Sequence, residues 1–242
     1  MDLDFSGKTV LVVGGSSGIG NGIAHGFRER GATVHVWGTR GAAKDYKGSE
    51  GSDLTGLTYD KVDVGVRSEI AAADTIAPLD VLILCQGTVQ YRRAEFEPDG
   101  WDRVMAVNLD SLMDCARKFR ATLAERKGVI VIVSSVSGYT SNRGNPAYAA
   151  SRAGAVSLTK TLGEAWAPEG IRVVGLAPGL VDTKLTKITT EHPQRLEGAL
   201  RSIPLGRMGT PADMAGAALL LASPLAAYVV GHTLIVDGGL SL

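Results

Sequence analysis

The chain has 242 residues, and its 45% apolar content with only 5% aromatic residues predicts a sizeable core of aliphatic side chains. Its 25 basic and 25 acidic residues balance, so no overall charge attracts nucleic acid or a membrane surface, and we expect neither as a partner. The two cysteines and four histidines lack disulfide-framework or metal-ligand spacing, which predicts a reducing compartment and no metal site. With no apolar leader and no stretch of membrane-spanning length, we expect a cytoplasmic protein.

Short β-branched runs alternate with longer helical patterns from one end of the chain to the other. This alternation is typical of βαβ units around a buried parallel sheet, and no linker rich in proline or serine divides it. The sequence therefore predicts an α/β fold, a single doubly wound (Rossmann-like) domain over residues 1–242 with helices on both faces. The seven predicted strands are Thr9–Val13, Thr33–Trp37, Thr58–Val62, Val81–Cys85, Val129–Val133, Arg172–Ala177 and Thr233–Val236, and the main predicted helices are Ile19–Arg30, Asp99–Arg126, Ala149–Trp166 and Ala212–Leu221.

Three connections depart from regular alternation. The segment Gly38–Leu57 is glycine-rich and polar, so we expect no regular helix there, and the crossover Asp63–Asp80 is short. A polar stretch, Thr183–Arg201, is predicted to be irregular. Because long insertions between a strand and a helix commonly serve as lids or binding loops, we predict that residues 183–201 form a substrate loop.

The first predicted strand runs directly into a Gly-x-x-x-Gly-x-Gly turn and then a helix. Glycines let the backbone approach a pyrophosphate, whose charge is received by free N–H groups at the helix N-terminus. A tight structural turn would also explain such a loop, but the strand, loop and helix context favours nucleotide binding. The predicted contacts are Gly14, Ser16, Ser17, Gly18, Ile19 and Gly20.

Tyr148 and Arg152 stand four residues apart in a predicted helix and therefore lie on one face of it. A cation beside a phenol lowers the phenol pKa and prepares it for acid–base work. Ser135, at the end of a predicted strand, could hold a substrate oxygen beside that phenol. Taken alone, a tyrosine and a cation at this spacing favour a solvated or core-edge tyrosine over a catalytic one.

Together, the glycine loop, Ser135 and Tyr148-x-x-x-Arg152 resemble the short-chain dehydrogenase/reductase family, which has Tyr-x-x-x-Lys at the last motif. The resemblance implies hydride transfer between a nicotinamide cofactor and a carbonyl or alcohol, a small-molecule partner. It also implies that Tyr148 is the acid or base, that Ser135 polarises the substrate oxygen, and that the cation holds the ribose. Family members are usually homotetramers, so we expect a homo-oligomer, either a tetramer or a dimer.

Further matches to the family extend over most of the chain. Asn108 resembles the helix asparagine of the catalytic group, although an asparagine bonded within a helix would look the same. Asp63 and Val64 resemble the adenine-contacting pair, and Asp237-Gly238-Gly239 resembles the C-terminal signature. The loop that holds the nicotinamide carboxamide in the family is matched here by Pro178, Gly179, Val181 and Thr183.

The chain also departs from the family pattern. Arg152 keeps the charge of the lysine but effectively never releases a proton, so we predict reduced yet detectable activity. Leu84-Cys-Gln-Gly87 stands where Asn-Asn-Ala-Gly is usual, with Gln86 and Gly87 predicted near the nicotinamide, and Val174 replaces a common asparagine. An alternative function is therefore a nucleotide-binding protein with weakened catalysis and a binding, regulatory or assembly role.

The end of the second predicted strand bears on the choice of cofactor. A carboxylate there would bond a ribose 2′-hydroxyl and repel a 2′-phosphate, whereas this chain has Gly38, Thr39 and Arg40. These residues favour NADP(H). NAD(H) stays an alternative, because Ser17 occupies a place where NADP-preferring relatives often carry a basic residue. The substrate wall is predicted to include Gln90, Tyr91, Ser137, Tyr139, Asn145 and Leu180, which select no particular substrate.

Overall fold

The computed structural model describes residues 3–242 and contains one seven-stranded sheet in the order β3-β2-β1-β4-β5-β6-β7. All neighbouring strands are parallel. The strands are β1 (Thr9–Val13), β2 (Thr33–Gly38), β3 (Thr58–Lys61), β4 (Val81–Leu84), β5 (Val129–Val133), β6 (Arg172–Pro178) and β7 (Thr233–Val236). The strand order reverses between β1 and β4, and in such sheets ligands bind in the crevice outside the carboxyl ends at this point.

Eight α-helices surround the sheet. They are α1 (Gly18–Arg28), α2 (Arg67–Ala72), α3 (Pro98–Met105), α4 (Ser111–Arg126), α5 (Pro146–Trp166), α6 (Lys187–Thr190), α7 (Pro193–Ser202) and α8 (Pro211–Ala222), all within residues 3–242. A π-helical segment, Ala106–Asp110, joins α3 to α4. Within residues 3–242, no helix is both long and apolar enough to cross a membrane.

The core lies on both faces of the sheet. Successive strand residues point to opposite faces, so Val10 and Val12 join one apolar cluster while Leu11 and Val13 join the other. Helices α1 and α8 cover the first face, and α4 and α5 cover the second. Because β1, β4 and β5 are buried on both sides, their sequences are nearly continuous aliphatic runs rather than alternating ones.

The structure confirms the predicted fold class, and each predicted strand is present with ends that differ by at most one residue. The long predicted helix Asp99–Arg126 is interrupted by the π-helical segment, which the sequence pattern does not reveal. Helix α5 begins at Pro146, three residues earlier than predicted. The fixed φ of proline suits the first turn of a helix, so this was an available signal.

The connection between β2 and β3 contains only a 3₁₀ turn, Ala43–Tyr46, as its composition predicted. The prediction that Thr183–Arg201 is irregular was wrong, since this segment carries a short 3₁₀ turn followed by α6 and α7. Helix α7 begins at Pro193, and Leu196 and Leu200 lie one turn apart on its half-buried side. Because the rest of the segment is polar, the sequence pattern did not reveal this helix.

Candidate active site

A cavity of about 460 Å³ opens at the carboxyl ends of the central strands. Its size falls within the range of small-molecule sites, roughly 300–1,000 Å³. Every residue predicted to contact the cofactor, except Arg40, lines this one cavity. The predicted cofactor contacts that line it are Gly14, Ser16, Ser17, Gly18, Ile19, Gly20, Gly38, Thr39, Asp63, Val64, Gln86, Gly87, Tyr148, Arg152, Pro178, Gly179, Val181 and Thr183.

One end of the cavity is formed by the N-terminus of α1. Ser17 is the N-cap residue and its side chain makes no capping hydrogen bond, so the first turn keeps N–H groups for a ligand. Gly18 has φ +56°, a conformation that favours glycine, and an added Cβ would lie 3.4 Å from Thr183 Cγ2 on the facing wall. This narrow, donor-lined cleft fits a pyrophosphate.

Another part of the cavity wall lies at the ends of β2 and β3. Asp63 accepts a hydrogen bond from the Gly65 N–H (2.8 Å) and pairs with Arg103 at 3.6 Å. Gly38 and Thr39 line the cavity, but Arg40 does not. The exposed Arg40 guanidinium donates to the Asp45 carbonyl and to Ser49 Oγ, so its contact with a cofactor stays a prediction.

Tyr148 and Arg152 project from α5 into the same cavity. The Arg152 guanidinium carbon lies 5.1 Å from the centre of the Tyr148 ring, close enough for a cation–π interaction. Arg152 is only 6% exposed, and it donates to the Val133 carbonyl (3.1 Å) and to the Gln86 carbonyl (3.4 Å). The arginine therefore joins the carboxyl ends of β4 and β5 while keeping its charge beside the phenol.

This placement of Arg152 depends on Gly87. A Cβ at Gly87 would lie 2.1 Å from Arg152 Nη2, which leaves no room for any side chain there. In the part of the chain that the structure describes, Arg152 Nε has no hydrogen-bond partner.

Ser135 follows the end of β5 and lines the cavity with Tyr148. Its Oγ accepts a hydrogen bond from the Ser137 N–H at 3.1 Å, and the hydroxyl proton is left for another acceptor. The neighbouring Ser134 Oγ donates to the Arg152 carbonyl at 2.8 Å and ties α5 to the end of β5. The hydroxyl of Ser135 and the ring of Tyr148 thus belong to one rigid unit.

Asn108 lies in the π-helical segment and is fully buried, behind the cavity rather than in its wall. Its Oδ1 accepts a hydrogen bond from the Thr88 N–H at 2.8 Å. Its Nδ2 donates to the Thr88 carbonyl at 2.9 Å and to Ser151 Oγ at 3.2 Å. Ser151 Oγ in turn donates to the Tyr148 carbonyl at 2.8 Å. Asn108 therefore connects the end of β4 to the helix that carries the tyrosine, and its catalytic role stays a prediction.

The stretch Leu84–Gly87, which departs from the Asn-Asn-Ala-Gly of the family, makes contacts of its own. Gln86 donates from Nε2 to Ser111 Oγ at 2.9 Å, so its amide points to the start of α4. Burial raises the pKa of the Cys85 thiol to about 12, although Arg152 opposes the change, and the thiol stays neutral near pH 7. Gln86 thus supplies a hydrogen bond between β4 and α4, in a stretch that lacks the usual asparagines.

Sequence reasoning missed Glu95, a carboxylate that is only 1% exposed. It accepts hydrogen bonds from the Gln90 N–H (3.0 Å), from Asn145 Nδ2 (3.1 Å) and from the Tyr148 N–H (2.9 Å). A negative group at the N-terminus of α5 is favoured by the free N–H groups and the helix dipole. In the sequence, Glu95 looks like one charge in a solvated turn, and no local pattern distinguishes it.

The residues predicted for the substrate wall, apart from the loop 183–201, lie outside the lining of this cavity. Two of them connect neighbouring segments: Tyr91 Oη donates to the Leu185 carbonyl at 2.6 Å, and Asn145 Nδ2 donates to the Gln90 carbonyl at 3.0 Å. Leu185 itself lines the cavity. The segment after β4 and the segment after β6 therefore meet beside the catalytic group.

Comparison with known proteins agrees with this arrangement. Residues 13–241 match a family model described as enoyl-(acyl carrier protein) reductase. The chain is 38% identical to a 3-oxoacyl-(acyl-carrier-protein) reductase of Chlamydia pneumoniae over 100% of both chains. It is also 38% identical to a galactitol 2-dehydrogenase (L-tagatose-forming) of Cereibacter sphaeroides, covering 96% of this chain and 94% of that protein.

A solved structure is similarly close. The gluconate 5-dehydrogenase of Burkholderia cenocepacia, in complex with NADP and tartrate, is 29% identical with a TM-score of 0.88, covering 99% of this chain and 97% of that one. These similarities confirm the predicted family and the predicted hydride-transfer chemistry. The chain therefore belongs to the short-chain dehydrogenase/reductase family and is a nicotinamide-dependent oxidoreductase.

Proposed function

We propose that the protein interconverts a carbonyl compound and its alcohol with NADP(H), using Tyr148 as the acid or base. The observation that carries this proposal is that Tyr148, Ser135 and Arg152 line one cavity with the glycine loop. The nicotinamide supplies or accepts the hydride, which is the difficult step of the chemistry. In the reducing direction Tyr148 donates its proton to the carbonyl oxygen, and the Ser135 hydroxyl polarises that oxygen.

Arg152 has two roles in this proposal. Its positive charge stabilises the phenolate that Tyr148 becomes, and Arg152 lines the cavity, where it would hold the cofactor ribose. A guanidinium effectively never releases a proton in proteins, so the arginine does not act as a proton relay. A group other than Arg152 would therefore have to restore the proton of Tyr148.

NADP(H) is proposed because the end of β2 carries no carboxylate: Gly38 and Thr39 line the cavity there, and Arg40 follows. The gluconate 5-dehydrogenase with the same fold was crystallised with NADP. Thr39→Asp should therefore lower the affinity for NADPH at least about tenfold and raise that for NADH, since like charges repel and the carboxylate can bond a 2′-hydroxyl. Fluorescence titration of both cofactors measures this, with Thr39→Asn as the neutral isosteric control. An unchanged ratio of the two affinities would contradict the placement of the 2′-phosphate at this end of β2.

Arg152→Lys should raise kcat by up to about tenfold, because a compact ammonium concentrates its charge near the phenol, and tenfold corresponds to one pKa unit. Arg152→Met, which removes the charge and keeps the length, should lower kcat. Both effects are measured as steady-state rates at saturating cofactor. If the lysine variant is no faster than the parent chain, charge placement is not what limits this site.

The function itself is tested by titrating NADPH and NADH and then following cofactor oxidation across carbonyl compounds. The panel contains short 3-oxoacyl thioesters, keto sugar acids and simple ketones, and the reverse assay contains polyols. Turnover of any of these supports the proposal. Tight cofactor binding without turnover across the panel, unchanged in Arg152→Lys, would favour the binding or regulatory alternative.

Three further features complete the proposal. Residues 183–201 serve as the substrate loop, because Thr183, Leu185 and Thr186 line the cavity and Tyr91 binds the Leu185 carbonyl.

The chain forms a homo-oligomer, which is supported by the exposed side chains of Tyr228 and Leu242 near the edge strand β7. It works in the cytoplasm on a small molecule, as the balanced charge and two free cysteines suggest.

A further inference from the structure

Tyr46 is the one buried residue of the turn Ala43–Tyr46. The residues around it are exposed and polar, including Lys44, Asp45 and Lys47, whereas Tyr46 is 5% exposed. Its ring packs edge-on against Tyr59 with centroids 5.5 Å apart. The contacts of the Tyr46 hydroxyl explain why this side chain is buried while its neighbours in the turn are exposed.

The Tyr46 oxygen accepts hydrogen bonds from the backbone N–H groups of Thr39 and Arg40, each at 3.2 Å. These are the first two residues after β2. Burial would raise the pKa of Tyr46, but hydrogen bonds from Ser16 and from the Arg40 and Thr39 backbone hold it below its ordinary value. Several donors thus converge on the Tyr46 oxygen at the end of β2.

The same oxygen fills the space that a side chain at position 38 would need. A Cβ at Gly38 would lie 2.7 Å from Tyr46 Oη and 2.5 Å from Ser16 Oγ. A carboxylate at the end of this strand would bond the ribose 2′-hydroxyl of NAD. Here the close approach of Tyr46 Oη and Ser16 Oγ excludes such a side chain at position 38. The Tyr46 oxygen instead accepts hydrogen bonds from the backbone of Thr39 and Arg40.

Tyr46 also orders Arg40. The Arg40 guanidinium carbon lies 4.5 Å from the centre of the Tyr46 ring, a cation–π distance. The ring therefore keeps a positive group beside the end of β2, while the hydroxyl sets the backbone next to it. Thr39 and Ser16 line the cavity and Tyr46 does not, so Tyr46 acts through them.

We propose that Tyr46 is a positioning residue for cofactor choice, holding Ser16, Thr39 and Arg40 in an arrangement that accepts a ribose 2′-phosphate and leaves no room for a carboxylate side chain at position 38. This inference rests on the proposed use of NADP(H). It identifies a residue outside the cavity lining, from a separate turn of the chain, as a determinant of which nicotinamide cofactor binds.

The test is Tyr46→Phe, which removes the oxygen and keeps the ring over which Arg40 lies. Dissociation constants for NADPH, NADH, 2′,5′-ADP and 5′-AMP are measured by calorimetry on the full chain. We expect the variant to bind NADPH and 2′,5′-ADP about tenfold more weakly, and NADH and 5′-AMP within about twofold of the parent, since the lost bonds support a charged group. Tyr228→Phe removes a phenol oxygen from a fully exposed side chain and should change none of the four constants.

Equal weakening of all four ligands, or no weakening, would overturn the role of Tyr46 and leave the NADP(H) proposal standing. A parent chain that binds NADH more tightly than NADPH would refute the NADP(H) proposal and, with it, this inference. If Tyr46→Phe does not fold, Ser16→Ala tests the same cluster, because it removes the other hydroxyl at this point. That variant should also lose affinity for the two 2′-phosphorylated ligands selectively, and an unchanged ratio would overturn the inference.

Discussion

Tyr148→Phe should lower kcat by about 10²–10⁴-fold, the usual contribution of a positioned general acid or base. The phenol lines the cavity beside Ser135 and under the charge of Arg152, so it is placed to exchange a proton with a substrate oxygen. Phenylalanine keeps the ring and its cation–π contact and removes only the reacting group. Steady-state reduction rates at saturating NADPH measure the loss.

Cofactor binding is the control for this variant. The glycine loop and the ends of β2 and β3 are untouched, so the dissociation constant for NADPH should stay within about fivefold of the parent value, because a single hydrogen bond contributes about 1 kcal/mol or less at a site with many contacts. Tyr139→Phe removes a hydroxyl from a half-exposed ring after β5 and should leave kcat far closer to the parent value. A Tyr148→Phe enzyme of nearly full activity would assign the proton transfer to another group.

Glu95→Ala should both destabilise the fold and slow the reaction. The substitution removes the acceptor of three partly buried donors, the Gln90 N–H, Asn145 Nδ2 and the Tyr148 N–H, of which Asn145 Nδ2 keeps its bond to the Gln90 carbonyl. An unpaired buried donor costs about 1–3 kcal/mol, so the loss at the two backbone N–H groups should lower the free energy of unfolding by about 2 kcal/mol or more. The N-terminus of α5 then loosens, and a shift of about 1 Å in Tyr148 would slow the chemical step by roughly a hundredfold.

Urea unfolding and kcat at saturating cofactor are measured for Glu95→Ala beside Glu97→Ala. Glu97 lies two residues further along, is exposed, and makes no side-chain capping bond to α3, so it is a matched surface glutamate. Glu95→Gln keeps the volume and one acceptor and should fall between the two alanine variants. If Glu95→Ala and Glu97→Ala behave alike, the buried carboxylate does not position the tyrosine.

The strands were predictable because burial on both faces leaves little freedom of composition. A run such as Val129–Val133 has to be aliphatic and β-branched wherever helices cover both sides of a parallel sheet. The glycine loop was predictable for a similar reason, since its spacing follows from backbone geometry at a strand–helix junction. Tyr148 and Arg152 followed from helix periodicity together with the family resemblance.

Other features depend on contacts between residues far apart in the chain. Helix α7 was hidden because only Leu196 and Leu200 give it an apolar side. The π-helical segment around Asn108 has an ordinary helical sequence, and what distinguishes it is the pairing of the Asn108 amide with Thr88. The Arg40 guanidinium bonds the Asp45 carbonyl and Ser49 Oγ, contacts that its sequence neighbourhood does not reveal, and its contact with a cofactor stays a prediction.

The sequence by itself determined the fold, the family and the kind of chemistry, because these depend on periodic burial and on motifs of fixed local spacing. The tertiary structure alone decided how the unusual residues are used. It placed Arg152 against the carbonyls of Val133 and Gln86, buried Glu95 under the first turn of α5, and turned Tyr46 to the end of β2. A buried polar group is stable only where partners from other elements satisfy it, and those partners are separated by up to 66 residues in the chain.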